Sequence, residues 1–365
     1  MKTRMIGFGE IMARLAPEGC LRFAQVLPGR MNVTFGGAES NVCSAIALLG
    51  GEAAFVTALP GNNPLADAGV AFLRSLNVGT DRILRTKAGR LGLYFLETGA
   101  NQRPSNVIYD RDYSAIALTP PEAYDWNAIL ADGAWFHISG ITPALSRNAA
   151  DATLAAVKTA QARGIPVSCD LNFRKKLWNW EPGAKPRELA EMTMRAILPF
   201  TDLVIANEED AADVLNIHAG DTDVTAGRLD VSRYPEVAAK IAAQFPKVSK
   251  IAITLRESFS ATHNNWGAML YDVPAAAAHF APLQGERYVP YEIRAIVDRV
   301  GGGDAFAAGL IYALMDPDLA APPRAVAFAA AASCLAHSIN GDTNYVSRKE
   351  VETLMHGAAS GRVVR

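Results

Sequence analysis

Short apolar runs alternate with alanine-rich helical stretches along most of the chain, and this rhythm constrains the fold more than any single motif. Arg4 to Phe8, Ala53 to Ala58, Trp135 to Ile138, Pro166 to Asp170, Leu203 to Ala206 and Lys250 to Leu255 read as strands. Between them, Asn41 to Leu49, Leu65 to Leu76, Ser146 to Ala162, a segment opening at Glu208 and Val237 to Phe245 carry helical spacing. Strand and helix in turn predict an α/β chain with a mostly parallel sheet covered by helices. In such a fold, ligands belong beyond the carboxyl ends of the strands.

Two stretches break the rhythm, Pro17 to Phe35 and Leu91 to Tyr109. In the second, Leu93 to Glu97 and Asn106 to Tyr109 look like strands with no helix between them, which predicts a small antiparallel flap over the site. Ser347 to Glu350 matches a capping box for a last helix. The apolar runs Ala305 to Met315 and Ala325 to Ala336 fall short of the roughly 20 residues a membrane span needs and read as buried helices.

Whole-chain numbers narrow the function class. At 365 residues with half of them apolar, the chain can bury a substantial core; a formal charge of −2 gives no electrostatic footprint for nucleic acid or an anionic membrane. Any anion site must therefore be local. Cys20, Cys43, Cys169 and Cys334 form no Cys-x-x-Cys pair, so neither a zinc site nor a disulfide framework is predicted, and a cytoplasmic setting is expected. The flap's strand edges invite pairing with a second copy.

The chemistry concentrates in four places. Ile296 to Leu310 runs from an apolar strand end through Gly301, Gly302 and Gly303 to Asp304 and an apolar helix. Three glycines allow successive N–H groups to converge at a helix N-terminus, where an anion is favoured. Asp304 is then either a helix cap or a group that accepts a proton from a substrate hydroxyl attacking phosphorus. Gly36-Gly37 followed by Asn41 is a close-approach turn or a simple cap by Ser40 or Asn41. Arg111 in the flap and Arg174 after a strand suit a carboxylate or polyol, or else surface ion pairs. Asn207-Glu-Glu-Asp210 is a water-mediated magnesium cluster or ordinary helix-dipole complementation. Thr254 and Arg256 end another strand. His137 reads as a packed residue. The chain lacks a Gly-x4-Gly-Lys-Ser/Thr loop and a Gly-x-Ser-x-Gly elbow, and Met12 stands where a dinucleotide fingerprint needs its third glycine.

Taken in order, Gly36-Gly37 with Asn41, Asp170-x-Asn-x-Arg174, Asn207-Glu-Glu-Asp210 and Val300-Gly-Gly-Gly-Asp304 make this chain resemble the ribokinase-like sugar kinases, the phosphofructokinase-B family. Trp135 to Leu145, Tyr109-Asp-Arg111 and Asp170 to Trp178 look most like the 2-keto-3-deoxygluconate kinases within it. The resemblance spans nearly the whole chain. It implies one three-layer α/β/α domain over 1–365, a β-sheet lid formed by about 13–36 and 88–113, and ATP- and Mg²⁺-dependent phosphorylation of a sugar acid's terminal hydroxyl. It also implies that Gly37, Asn41, Tyr94, Tyr109, Arg111 and Arg174 bind the sugar acid, with Asp304 as base. Asn207, Thr254, Arg256 and Gly303 would meet the nucleotide, Glu209 and Asp210 magnesium through water, and the amides of Gly301 to Gly303 the transferring phosphoryl group.

Two departures from the family pattern stand out. Arg299 replaces the common Thr, which bears on a monovalent cation near Asp298, and Asp210 replaces the usual Glu of the magnesium motif. Fructose, 2-keto-3-deoxygalactonate or a nucleoside are the competing substrates, and a non-catalytic sugar-acid sensor is the competing class.

Overall fold

In the computed structural model, which describes residues 3–207, 209–218 and 230–357, two sheets are interleaved along the chain. Strand β1 (Arg4–Phe8) runs through a three-residue corner into β2 (Met12–Ala16), and β3 (Asn32–Gly36) returns antiparallel to β2. Next come helix Ala38–Leu48, β4 (Glu52–Pro60), helix Pro64–Ser75 and β5 (Ile83–Thr86), followed by β6 (Gly92–Glu97) and β7 (Asn106–Asp110). The βα rhythm then resumes with β8 (Gly133–Ser139), helix Arg147–Ala162, β9 (Val167–Asp170), helix Pro186–Ile197, β10 (Leu203–Ala206), helix Tyr234–Gln244 and β11 (Lys250–Ser260). Strands β12 (His263–Asp272) and β13 (Ala277–Ala281) fold back as antiparallel partners before helices Gly302–Met315 and Pro322–Ala336 close the fold.

The main sheet has the order β13-β12-β11-β10-β9-β8-β1-β4-β5, with the short strand Tyr291–Ile293 also paired to β12. From β11 to β5 the pairings are parallel. These strands are continuous apolar runs because both of their faces are covered. In β1, Ile6 and Phe8 belong to the core under helix Arg147–Ala162, while Met5, one step out of phase, belongs to the core under helices Ala38–Leu48 and Gly302–Met315. That makes three layers. On the second face Phe306, Leu310 and Ile311 are fully buried, and each such side chain contributes about 1.5–3 kcal/mol relative to exposure.

Helix starts follow local chemistry. Asn63 accepts the amide of Ala66 at 3.0 Å ahead of Pro64, and Ser146 accepts that of Ala149 at 3.1 Å. Ser347 and Glu350 form the reciprocal capping box expected from their spacing.

Three expectations need correction. The flap is a four-stranded sheet, β3-β2-β6-β7, and is not purely antiparallel, because β2 and β6 run side by side in the same direction. Both leave the main sheet at its carboxyl edge, so they share a heading. The strand starting at Lys250 runs five residues beyond Leu255 to Ser260, into the antiparallel extension. The helix placed at Glu208 begins at Asp210 and ends at Leu215, Glu208 itself lying outside the described residues. Residues 219–229 lie outside them as well.

Candidate active site

A cavity of about 370 Å³ opens at the carboxyl ends of the parallel strands, between the main sheet and the lid. Gly37, Asn41, Tyr94, Tyr109, Arg111, Arg174, Asn207, Asp210, Thr254, Arg256 and Gly301 to Asp304 all line it. Residues separated by most of the chain thus meet at one place. Glu209 does not; it is the exposed cap residue of helix Asp210–Leu215, and its carboxylate stays outside the cavity.

At the base of the cavity, Gly301 takes the left-handed conformation, φ 82°, and caps helix Gly302–Met315. The chain has little choice there: a Cβ on Gly301 would lie 2.4 Å from the carbonyl oxygen of Asp342. Gly303 is exposed, with nothing within 4 Å of the place its Cβ would occupy, so the first turn presents bare backbone to the cavity. Helix amides and dipole there favour an anion. Ser333 Oγ donates to the Gly302 carbonyl at 2.6 Å and holds the turn from behind.

Asp304 projects from this turn. Asn41 Nδ2 donates to its Oδ2 at 2.7 Å, while Asn41 Oδ1 accepts the amide of Gly37 at 3.2 Å. Burial pushes the Asp304 carboxyl up to about 7; the charges of Asp342 and Glu39 add to the rise, and the Asn41 hydrogen bond opposes it. A carboxyl poised there can gain and lose a proton under ordinary conditions.

The lid supplies the opposite wall. Tyr94 and Tyr109 sit across β6 and β7 with ring centroids 6.2 Å apart, and the Arg111 guanidinium lies 5.5 Å from the Tyr109 ring centre. Arg111 Nε donates to Glu10 Oε2 at 2.7 Å, and both side chains are buried. Its charge is therefore partly balanced from below. Glu10 Oε1 has no hydrogen-bond partner among the described residues. Arg174, at the mouth, is exposed and makes no ion pair among the described residues; its Nη1 donates to the Phe173 carbonyl at 3.0 Å. The Tyr94 hydroxyl donates to Asp342 Oδ2.

On the remaining wall, Asn207 Oδ1 accepts the amides of Glu209 and Asp210 at 2.8 and 2.9 Å. Asp210 answers by accepting the amide of Asn207 at 2.9 Å and that of Phe173 at 3.1 Å. Asp210 is thus a brace between the loops after β9 and β10. Asp170, Asp210 and Asp304 all face the cavity. Burial raises the pKa of each, and that of Asp170 is raised further by the charges of the other two. Among the described residues no three acidic, histidine or cysteine side chains converge closely enough to ligate an ion directly.

Sequence reasoning missed several residues. Glu39 is 1% exposed, and its Oε1 accepts the amide and hydroxyl of Ser139 at 3.0 and 2.7 Å and the hydroxyl of Thr142 at 2.9 Å. It anchors the turn that carries Asn41 to the end of β8. Asp342, Glu10 and Trp266 also line the cavity; only Glu10, directly beyond the first strand, had a local signal. Asp298, the residue beside which a monovalent cation was expected, is ion-paired with Arg14. His137 is a core residue as read: it is buried, its Nδ1 lies 2.9 Å from Ser168 Oγ, and burial lowers its pKa to about 3.

Residues 4–348 match the model of the pfkB family of carbohydrate kinases. A 2-dehydro-3-deoxygalactonokinase of Haloferax volcanii is 31% identical over 366 residues, spanning 99% of each chain. The crystal structure of 2-dehydro-3-deoxygluconokinase from Thermotoga maritima is 42% identical, with a TM-score of 0.86 over 98% of this chain and 99% of that one. A fructokinase with bound ATP from Xylella fastidiosa shares the fold at a TM-score of 0.75 and 23% identity, over 99% of this chain and all of the other.

Proposed function

Because the chain belongs to the pfkB family of carbohydrate kinases, we propose that it phosphorylates the terminal hydroxyl of 2-keto-3-deoxygluconate with ATP as donor. The observation that carries this reading is Asp304: a carboxyl at a glycine-turn helix N-terminus, oriented by Asn41 and facing a cavity that Arg111 lines from the lid and Arg174 from the mouth. Two guanidiniums suit a substrate that bears a carboxylate, and a neutral sugar has less use for them.

In this reading the sugar acid lies under the lid with its carboxylate toward Arg111 and Arg174, while Tyr94 and Tyr109 cover its carbon chain. Gly37 and Asn41 hold the reacting end. Asp304 accepts the proton as the hydroxyl oxygen bonds to the γ-phosphorus and the bond to the β-phosphate oxygen breaks. The amides of Gly301 to Gly303 stabilise charge on the transferring group. Asn207, Thr254, Arg256 and Gly303 flank the nucleotide. The lid excludes water that would otherwise take the phosphoryl group.

Mg²⁺ suits the acidic wall, since hard cations prefer carboxylate oxygen and water. With no direct three-residue ligand set, Asp210 would hold it through water, and when bound it supplies charge neutralisation of the phosphates.

The lid's outer face carries exposed Val33 and Ile108 on its edge strands β3 and β7, and a second copy of the chain is the partner this reading assigns to it. Four unpaired cysteines support a cytoplasmic setting.

A coupled ADP-release assay with Mg-ATP tests the function against 2-keto-3-deoxygluconate, its galactonate epimer, fructose, ribose and adenosine. Preference for the gluconate derivative is expected. The 31% identical galactonokinase supports the epimer as the second reading, and turnover confined to that epimer would replace the first. Turnover of fructose alone would overturn the role of the arginines, and none at all would leave a sugar-acid sensor.

A further inference from the structure

Asp298 ends the segment leading into the glycine turn, and Asp342 lies in the loop after helix Pro322–Ala336; their side chains are 2% and 4% exposed. Two carboxylates so deeply buried beside an anion site need a counter-charge. Arg14 provides it from the lid. Its guanidinium, 3% exposed, reaches down from β2, with Nη1 donating to Asp342 Oδ1 at 2.6 Å and Nη2 to Asp298 Oδ2.

The other oxygens are also engaged. Asp298 Oδ1 accepts the amide of Val300 at 3.1 Å, its Oδ2 also accepts that of Gly341 at 3.2 Å, and Asp342 Oδ2 accepts the Tyr94 hydroxyl. Arg299, next in sequence, turns away to donate to the Ser260 carbonyl at 3.1 Å and Asn264 Oδ1 at 3.2 Å. A dehydrated Na⁺ or K⁺ needs several oxygens turned toward one point, and the four of Asp298 and Asp342 are instead taken by Arg14, by the amides of Val300 and Gly341 and by the Tyr94 hydroxyl. The residues near Asp298 do not fit a dissociable monovalent cation.

Asp342 touches both sides of the cleft. A Cβ on Gly36, at the end of lid strand β3, would lie 2.3 Å from Asp342 Oδ2, and one on Gly301 would lie 2.4 Å from the Asp342 carbonyl oxygen. One loop is thus wedged between lid and glycine turn, and Arg14 fixes it there.

We propose that Arg14 is a positioning residue: its guanidinium is the fixed cation of the glycine turn, binding lid strand β2 to Asp298 and Asp342, so that turnover requires no monovalent ion. The inference rests on Gly301 to Gly303 being the phosphoryl-side anion hole. Its reach is specific, since Arg14 touches neither substrate and acts through the two carboxylates.

The test compares the wild-type enzyme in potassium, sodium and tetramethylammonium chloride at one ionic strength, reading kcat and thermal midpoint together. Equal rates and equal midpoints in all three salts are expected. Activation by K⁺ over tetramethylammonium, or a midpoint that rises with K⁺, would overturn the proposal. In Arg14→Ala, kcat should fall about 10²-fold, as expected for misplaced catalytic backbone, with the KM for the sugar acid changed far less. Added guanidinium ion should restore part of the loss. Full activity in Arg14→Ala would also sink it. Should that variant not fold, Arg14→Lys keeps the charge without the two-pronged geometry and should show the same kcat defect in milder form, while the wild-type salt comparison needs no variant. Asp304→Asn separates the two readings: if it stays active, the placement of the proton transfer at Asp304, and with it the proposed function, has failed independently of Arg14.

Discussion

The side-chain amide of Asn41 donates to the Asp304 carboxylate at 2.7 Å, linking helix Ala38–Leu48 to the glycine turn across 263 positions of sequence. One side chain therefore orients the Asp304 carboxyl while its own oxygen holds the Gly37 amide. The turn at Gly37 and the Asp304 carboxyl are thereby held by one residue.

Replacing Asp304 with Asn should lower kcat by about 10²–10⁴-fold, the usual value of general-base assistance. The fold should survive. Since the folded state raises this carboxyl from 3.8 to about 7, the folded protein binds the proton more tightly than the unfolded chain. Its contribution to stability is full at low pH and declines as pH rises toward 7. Thermal midpoints of Asp304→Asn should accordingly gain on wild type between acidic and mildly alkaline buffers; a widening loss over that range would contradict the burial argument.

The same carboxyl predicts the pH–rate profile. A base must be unprotonated, so kcat/KM should climb with pH and level off above about 7. Initial-rate measurements under limiting sugar acid would check this, and Asp304→Asn should lack that limb.

Arg111 and Glu10 make a pair with separable roles. Arg111→Ala should raise the KM for the sugar acid tens of fold, in line with about 1.5–3 kcal/mol for a charged hydrogen bond, while the KM for ATP stays nearly constant. Glu10→Gln keeps the shape and weakens only the anchor of Arg111, so its effect should be smaller and of the same kind. Steady-state kinetics with each substrate varied in turn decide it.

Gly301→Ala combines two penalties. The left-handed backbone costs about 1–2 kcal/mol with any side chain, and the new methyl would meet the Asp342 carbonyl oxygen at 2.4 Å. A lowered denaturation midpoint and near-complete loss of kcat are expected. Alanine at Gly303, where the space is open, should be far milder for stability, and equal midpoints for the two variants would refute the steric account.

Asp210→Asn replaces an acceptor that takes two backbone amides with a group having only one acceptor oxygen. A buried amide left unpaired costs about 1–3 kcal/mol. Urea denaturation should register that loss at every Mg²⁺ concentration, distinguishing the brace from a metal role.

The parallel strands were legible because burial on two faces leaves unbroken apolar runs such as Leu203 to Ala206. The antiparallel extension was not: Arg256 to Ser260 lies on the less buried end of β11, where polar residues blur the pattern. In the site, Gly301 to Asp304 and Gly36 to Asn41 announced themselves through local chemistry, glycines beside a polar residue at a helix start. Arg14, Asp298 and Asp342 could not, since a lone arginine in a lid strand says nothing about carboxylates 284 and 328 positions away. Glu209 and Asp210 look interchangeable as acids, and only the helix start at Asp210 turns one inward and leaves the other in solvent.

The order of synthesis gives the Arg14 latch a further meaning. The ribosome finishes the whole lid, through Asp110, before it has made any part of the loop that the lid grips. Throughout that interval the carboxylates that Arg14 and Tyr94 bind in the finished fold, Asp298 and Asp342, have yet to be made. Only once Asp342 has been made can it meet Arg14 and Tyr94, so a translation product truncated before that loop lacks the contact that joins lid and turn.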